Sequence, residues 1–247
     1  MREEGIMNQL NILGDWVLDT IFPSRCIECN VVGLPYICSP CFAGIRISKD
    51  FRCIDCGYKT DLGITCLSCS EKNVIDQLLV VADYNDLLIK KSIQYFKYNF
   101  IQELSNPLSD LTTKYLRWLS KERGYELFNG NTIITAVPLS RKRRNWRGFN
   151  QSELIAETVA NNLLIDFDFG LLTRAGSAKS QAEIEDREKR IANTLGGIST
   201  IQGKRVDGRR IILVDDVSTT GSTLNACARA LKGAGAKEVV GLVIARG

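Results

Sequence analysis

The sequence predicts an α/β fold, a parallel sheet flanked by helices and preceded by a small metal-organised module. Three observations carry that expectation. Buried-type strands alternate with helical periodicity from residue 73 onward; a strand–loop–helix–strand unit closes the chain; and eight of the nine cysteines form four Cys-x-x-Cys pairs between Cys26 and Cys69. With 247 residues, 45% hydrophobic and 24% charged, the chain can bury a real core. A net charge of +4 is too mild for a histone-like or polybasic membrane binder. The absence of histidine excludes Ser-His-Asp and Cys-His triads and every His-containing metal site, so a metal here must be held by cysteine or carboxylate.

The elements follow in order. Ile6, Leu10, Leu13, Val17 and Ile21 recur at steps of four and three, predicting an amphipathic helix in residues 1–23, closed by Pro23 and packed on the rest of the protein. The start, Met-Arg-Glu-Glu-Gly, is acidic, Gly14-Asp15 interrupts the apolar stretch, and no run reaches membrane-spanning length. These features predict a reduced, cytoplasmic protein with no membrane span, whose cysteines bind metal. Residues 24–72 form the cysteine module, with too few periodic apolar residues for a core of their own. Residues 73–247 form the α/β domain. Leu78–Tyr84 reads as a buried strand, and Leu87, Leu88, Ser92, Tyr95 and Phe96 mark a helix running to Phe100. A helix over Leu108–Glu122 and a β-branched strand over Thr132–Val137 follow, the latter stopped by Pro138 and leading into a polar loop. A helix covers Gln151–Leu163, and residues 176–209 are polar apart from a short helix near Glu183–Thr194. Strand Arg210–Val214, loop Asp215–Ser222, helix Thr223–Lys232, a Gly233/Gly235 stop and strand Glu238–Ala245 then make a βαβ unit, which requires a parallel sheet.

A Cys-x-x-Cys turn presents two thiolates on one side of a tight knuckle, and two knuckles supply the four sulfurs of a tetrahedral zinc site. Cys26, Cys29, Cys38 and Cys41 make one set and Cys53, Cys56, Cys66 and Cys69 the other; sequential pairing is simplest, and an interleaved arrangement satisfies the same count. Four cysteine ligands leave no open position for water, so both zincs are expected to be structural. Loaded with two dications, the first 72 residues carry about −6 and the remainder +6, which argues against the cysteine module gripping phosphates over most of its surface.

Ile211-Ile-Leu-Val-Asp-Asp-Val-Ser-Thr-Thr-Gly-Ser-Thr223 joins an apolar strand, two acids and a hydroxyl-rich turn that opens a helix. Backbone N–H groups at a helix N-terminus, with the hydroxyls of Thr219, Thr220, Ser222 and Thr223, suit a phosphate dianion, and Gly221 permits close approach. Asp215 and Asp216 sit at the carboxyl end of a parallel strand and can accept hydrogen bonds from vicinal sugar hydroxyls, so the pattern describes a phosphorylated ribose. The segment resembles the phosphoribosyl pyrophosphate (PRPP) motif of type I phosphoribosyltransferases, departing only at Ser218, where an apolar residue is usual. That resemblance assigns Val214, Asp215, Asp216, Val217, Ser218, Thr219, Thr220, Gly221, Ser222 and Thr223 to PRPP. The two acids would be the catalytic pair on the ribose hydroxyls, and residues 219–223 would hold the 5′-phosphate.

Taken with the four cysteine pairs, Val137-Pro-Leu-Ser140, Arg147-Gly-Phe-Asn-Gln-Ser152 and the trailing Cys227, the chain is similar over nearly its whole length to the ComF family of competence-associated proteins. The resemblance implies a double zinc ribbon joined to a type I phosphoribosyltransferase-like domain that binds PRPP with magnesium. It also implies a link to single-stranded DNA uptake in natural transformation, with a helicase or other DNA-processing protein as partner. Arg141, Lys142, Arg143, Arg144 and Arg147 put five cations in seven residues, suited to pyrophosphate or to a nucleic-acid backbone, and Trp146 and Phe149 interleave with them as stacking surfaces. Gln181, Arg187, Arg190 and Asn193 look like the family's second polar stretch and suit a lid. Cys227 falls on the apolar face of its helix and reads as a core thiol. Two function classes remain beside a transferase: a non-catalytic nucleic-acid or nucleotide-binding adaptor, and a PRPP-sensing regulator.

Overall fold

A computed structural model describes residues 23–33, 35–126, 130–174, 197–201 and 206–247. The helix expected before Pro23, the short helix near Glu183–Thr194 and the lid residues Gln181, Arg187, Arg190 and Asn193 lie outside the described residues. By its internal contacts the chain divides into a unit ending at Ile45 and a unit from Arg46 to Gly247. In the first unit the one described helix is α1, Ser39–Gly44. The second contains the short α2, Leu67–Ser70; the Cys26–Cys41 set lies in the first unit and the Cys53–Cys69 set in the second.

The core of the second unit is a five-stranded sheet. Its strands are β1 (Gln77–Asp83), β2 (Thr132–Ala136), β3 (Asp166–Phe167), β6 (Arg210–Ser218) and β7 (Glu238–Arg246), in the order β1-β7-β6-β2-β3. Every neighbouring pair is parallel. The short strands β4 (Leu172–Arg174) and β5 (Ile198–Thr200) pair antiparallel in a separate two-stranded sheet. Central strands of a parallel sheet are covered on both faces and read as continuous apolar runs. Accordingly Ile211–Val214 are all buried in β6, as are residues 239–245 of β7.

Helices fill the connections: α3 (Leu87–Tyr98), α4 (Ser105–Arg123), α5 (Arg141–Arg147), α6 (Gln151–Leu163) and α7 (Ser222–Gly233). The Asp86 carboxylate accepts from the amides of Leu88 (2.9 Å) and Ile89 (3.1 Å), starting α3, which buries Leu88, Ile89, Ser92, Ile93 and Phe96. The sequence expectation for α6 agrees with the structure. The Arg141–Arg147 segment differs: expected as a polar loop, it is a two-turn helix ended by Gly148 at φ 76°, because arginine and lysine are good helix formers and a left-handed glycine supplies the stop.

Strand β6 also runs longer than the apolar pattern suggests. It continues through Asp215 and Asp216 to Ser218, pairing Asp215 with Val243, Val217 with Ala245 and Ser218 with Arg246, so the β7 ladder carries the polar residues in extended form. The chain leaves β2 toward β3 and leaves β6 toward β7, in opposite directions across the sheet. In open parallel sheets ligands bind where the strand order reverses in this way, which here is at the carboxyl ends of β2 and β6. No described helix is long and apolar enough to cross a membrane.

Phe96 is fully buried and packs on Phe149, ring centroids 5.6 Å apart, which seats the start of α6 on α3. Phe96→Ala is expected to cost about 3–5 kcal/mol in urea denaturation. A loss under about 1 kcal/mol would show that this contact carries little of the packing.

Candidate functional site

Asp215 and Asp216 lie toward the carboxyl end of β6. The Asp215 Oδ1 atom accepts from the Ser152 hydroxyl at 2.9 Å and from the Asp216 amide at 2.9 Å. Buried Asp216 forms an ion pair with Lys97 Nζ at 2.8 Å. Burial first, and the neighbouring Asp216 charge second, push the Asp215 carboxyl up to about 7 against the pull of Ser152, the Asp216 amide and Lys97. The pair is a negative well for a cation or a diol, held until then by one lysine. Lys97 was not singled out from the sequence: it ends an amphipathic helix, where a lysine reads as a favourable C-terminal charge. Its partner, Asp216, lies 119 residues away in sequence and is revealed only by the ion pair itself.

Beyond the acids the chain turns through Thr219 and Thr220, both exposed, to Gly221, which is buried at φ 74° and opens α7 without a side-chain cap. An uncapped first turn leaves amide donors pointing out of the helix end, where an anion is stabilised. The Thr220 hydroxyl donates to the Ser222 hydroxyl at 3.1 Å, and the Asn225 amide returns to the Gly221 carbonyl at 2.8 Å. Ser218, the departure from the apolar pattern, is buried and its hydroxyl has no partner. Cys227 is fully buried on α7, with its thiol raised by burial.

The Arg147–Ser152 motif resolves into separate tasks. Arg147 donates to Gln151 Oε1 at 3.0 Å, and Asn150 caps α6 by accepting from the Ser152 amide (3.2 Å). The Asn150 side chain also donates to the Val137 carbonyl at 3.1 Å, tying the motif to the end of β2. Ser152 then reaches Asp215. Phe149 corrects the sequence reading: it is 8% exposed and packs on Phe96, so it offers no face to a base. The exposed aromatic cluster is instead Tyr98, Phe100 and Trp146, with Trp146 lying 6.2 Å from Tyr98 and 5.1 Å from Phe100. The Arg147 guanidinium sits over both Tyr98 (6.0 Å) and Trp146 (5.8 Å). Arg141, Lys142, Arg143 and Arg144 are exposed along α5, and Arg144 pairs with Glu153.

The sulfurs group sequentially, Cys26/Cys29/Cys38/Cys41 and Cys53/Cys56/Cys66/Cys69, with all four in each set within 4.8 Å of one another. The two first knuckles are built alike. Asn30 and Gly57 follow the second cysteine at φ 60° and 70°, and each donates its amide to the carbonyl of the first cysteine. Cys29–Cys38 and Cys56–Cys66 sulfurs are 3.7 Å apart. A tetrahedron with metal–sulfur bonds of about 2.3 Å has edges of about 3.8 Å, so both sets fit such an ion, whereas disulfide bonding requires about 2.05 Å. Burial raises the Cys26 and Cys53 thiols, yet backbone amide donors outweigh it and bring both down to about 6. Each set thus contains a ready thiolate.

Residues 151–246 match the family model for the phosphoribosyl transferase domain. Among curated relatives, DNA utilization protein YhgH of Escherichia coli O157:H7 is 32% identical, the match covering 88% of this chain and 94% of that protein. Competence protein ComFC of Bacillus subtilis strain 168 is 26% identical over 79% of this chain and 77% of its own. Competence protein F of Haemophilus influenzae is 28% identical over 88% of this chain and 95% of its own. The parallel sheet and the family match define a phosphoribosyltransferase-fold protein. Within that class the chain belongs to the ComF family, which includes YhgH and ComFC.

A carboxyl raised above its ordinary 3.8 keeps in the native state a proton that the unfolded chain has released, so Asp215 makes the fold less stable as pH rises from about 4 to about 7. Lys97 offsets this where both acids are ionised. Lys97→Met is therefore expected to destabilise the protein by about 1–3 kcal/mol above pH 7, a gap that narrows as acid protonates Asp215. Thermal unfolding across pH checks this, and a pH-independent gap would contradict it.

Proposed function

We propose that this protein binds PRPP with magnesium at the acid pair and the α7 N-terminus, and that it transfers the phosphoribosyl group to an acceptor nucleophile. The observation that carries the reading is the crowded Asp215–Asp216 pair, held by Ser152 and Lys97, ahead of a glycine-opened helix without a side-chain cap. The acids accept the ribose hydroxyls, while the hydroxyls of residues 219–223 and the first amides of α7 hold the 5′-phosphate. Magnesium, bound with the diphosphate, supplies charge neutralisation. In transfer, the bond from ribose C1 to the diphosphate oxygen breaks, pyrophosphate leaves with the electron pair, and the acceptor attacks C1. Fixed positioning and charge stabilisation of the oxocarbenium-like state are what the chain contributes. Lys97, released from Asp216 once hydroxyls or a cation reach the pair, becomes available to the leaving group.

A second activity has its own support. The cationic face of α5 beside Trp146, Tyr98 and Phe100 combines a backbone-neutralising surface with base-stacking faces, the combination that grips single-stranded nucleic acid. Relatives named for DNA utilization and competence favour DNA as that ligand. On this reading the protein is an adaptor as well as a transferase, handing strands to a helicase or another DNA-processing partner. Zinc is the ion proposed for both cysteine sets, since four thiolates in a tetrahedron suit it and leave no position for water.

Asp215→Asn with Asp216→Asn is expected to abolish PRPP binding in calorimetry and to retain two zincs per chain; unchanged PRPP affinity would refute the site. Trp146→Ala is expected to weaken single-stranded DNA binding about tenfold, the scale of one lost stacking contact. Charge reversal at Arg141–Arg144 should flatten the salt dependence of that binding. An unaltered DNA affinity in both variants would remove the adaptor reading.

A further inference from the structure

The phosphate loop is held from beneath by the second cysteine set. Ile54, between Cys53 and Cys56, is 1% exposed, and a Cβ on Gly221 would lie 2.6 Å from its Cγ1. Gly221 thus lacks a side chain for two reasons: its left-handed backbone, and the knuckle residue occupying the space. At the end of β7, Arg246 donates to the carbonyls of Cys53 (3.0 Å) and Ile54 (2.6 Å). The same Arg246 pairs in register with Ser218, and the Gly247 amide donates to the Ser218 carbonyl at 3.0 Å. The chain leaving the knuckle is tied to the loop as well. Asn73 donates its amide to the Cys69 carbonyl at 3.0 Å, and Asn225 in the first turn of α7 accepts from the Val74 amide at 2.8 Å. Both ends of the Cys53–Cys69 segment are therefore fastened to residues that bracket the loop, Ser218 on one side and Asn225 on the other.

We infer that the second cysteine set is a brace for the phosphate loop, with Ile54, Arg246 and Asn225 as positioning residues, so that filling its metal site sets the loop's affinity for a phosphate group. The inference rests on reading the loop as a PRPP site. Metal binding by a small cysteine knuckle contributes folding free energy, here added to the burial of Ile54 in the core. Here that free energy fixes the Cys53–Cys56 turn, the turn fixes Ile54, and Ile54 fixes the backbone of Gly221. Without the metal cross-link, the four sulfurs no longer hold the turn that presents Ile54 and the two carbonyls. The loop then samples conformations in which the first amides of α7 do not converge on one point, and a phosphate must order them on binding, which lowers its affinity.

The test compares the metal-loaded wild type with Ile54→Ala and with Cys56→Ser/Cys66→Ser, using amide hydrogen exchange and titration with PRPP and magnesium. Exchange across residues 218–225 is expected to rise about tenfold in both variants, while the buried helix segment 108–119 keeps its protection. PRPP affinity is expected to fall about tenfold in both, with Ile54→Ala retaining two zincs per chain and Ile54→Val restoring most of the loss. Wild-type exchange and affinity in Ile54→Ala would overturn the brace, as would an equal rise at 108–119, which means general loosening. Should the wild type bind no PRPP, the reading of the ligand fails while loop exchange still decides the brace.

Discussion

Two carboxylates in adjacent positions at the carboxyl end of a buried strand cannot both ionise cheaply, and the site is arranged around that constraint. Side chains alternate along a strand, yet β6 keeps Asp215 and Asp216 extended because β7 continues to pair with it as far as Arg246. The cost is offset from three directions: Lys97 from α3, Ser152 from α6 and the Asp216 amide from the strand itself. Each of these partners needs its own support. Lys97 depends on the burial of Phe96 one position before it, and Ser152 on Asn150, which caps α6 and ties it to the end of β2. A pair left partly uncompensated in this way is the feature on which the proposed function rests.

The same economy of support explains the cysteine sets. The first lies in a unit of its own, while the second is continuous with the sheet domain. Phe51, two residues before Cys53, stacks on Trp118 of α4 at 6.4 Å, and Arg123 lies over Phe51 at 5.4 Å. Gln77 at the start of β1 donates to the Leu62 carbonyl at 2.6 Å. The second knuckle is thus anchored to α4, to β1 and to the Gly221 turn that opens α7, as part of the sheet domain. Two similar sequence patterns, four cysteines each, have thereby come to serve different surroundings.

Much of this was legible in the residues. The βαβ unit at the end of the chain, the strand at Thr132, the helix at Gln151 and the buried Cys227 follow from apolar periodicity and terminators, and the cysteine spacing allowed the sequential grouping. Three things were not legible, for physical reasons. The basic run was expected as a loop because it lacks an apolar face, but a helix of good formers needs none when it lies exposed on the surface. Phe149 reads as a stacking surface beside cations, and only tertiary packing reveals that Phe96 covers it. Lys97 and Ile54 carry no local signal, since their roles exist only across sequence separations of more than a hundred residues.

The electrostatics of Asp215 are central to the site. The most direct measurement is a carbon-13 NMR titration of its carboxyl in the metal-loaded protein, with and without PRPP and magnesium. A midpoint near 7 is expected in the free protein, falling by about one unit or more when the ligands bring positive charge and hydroxyl donors to the pair. A midpoint near the ordinary 3.8 in the free protein, or one that ignores the ligands, would contradict it.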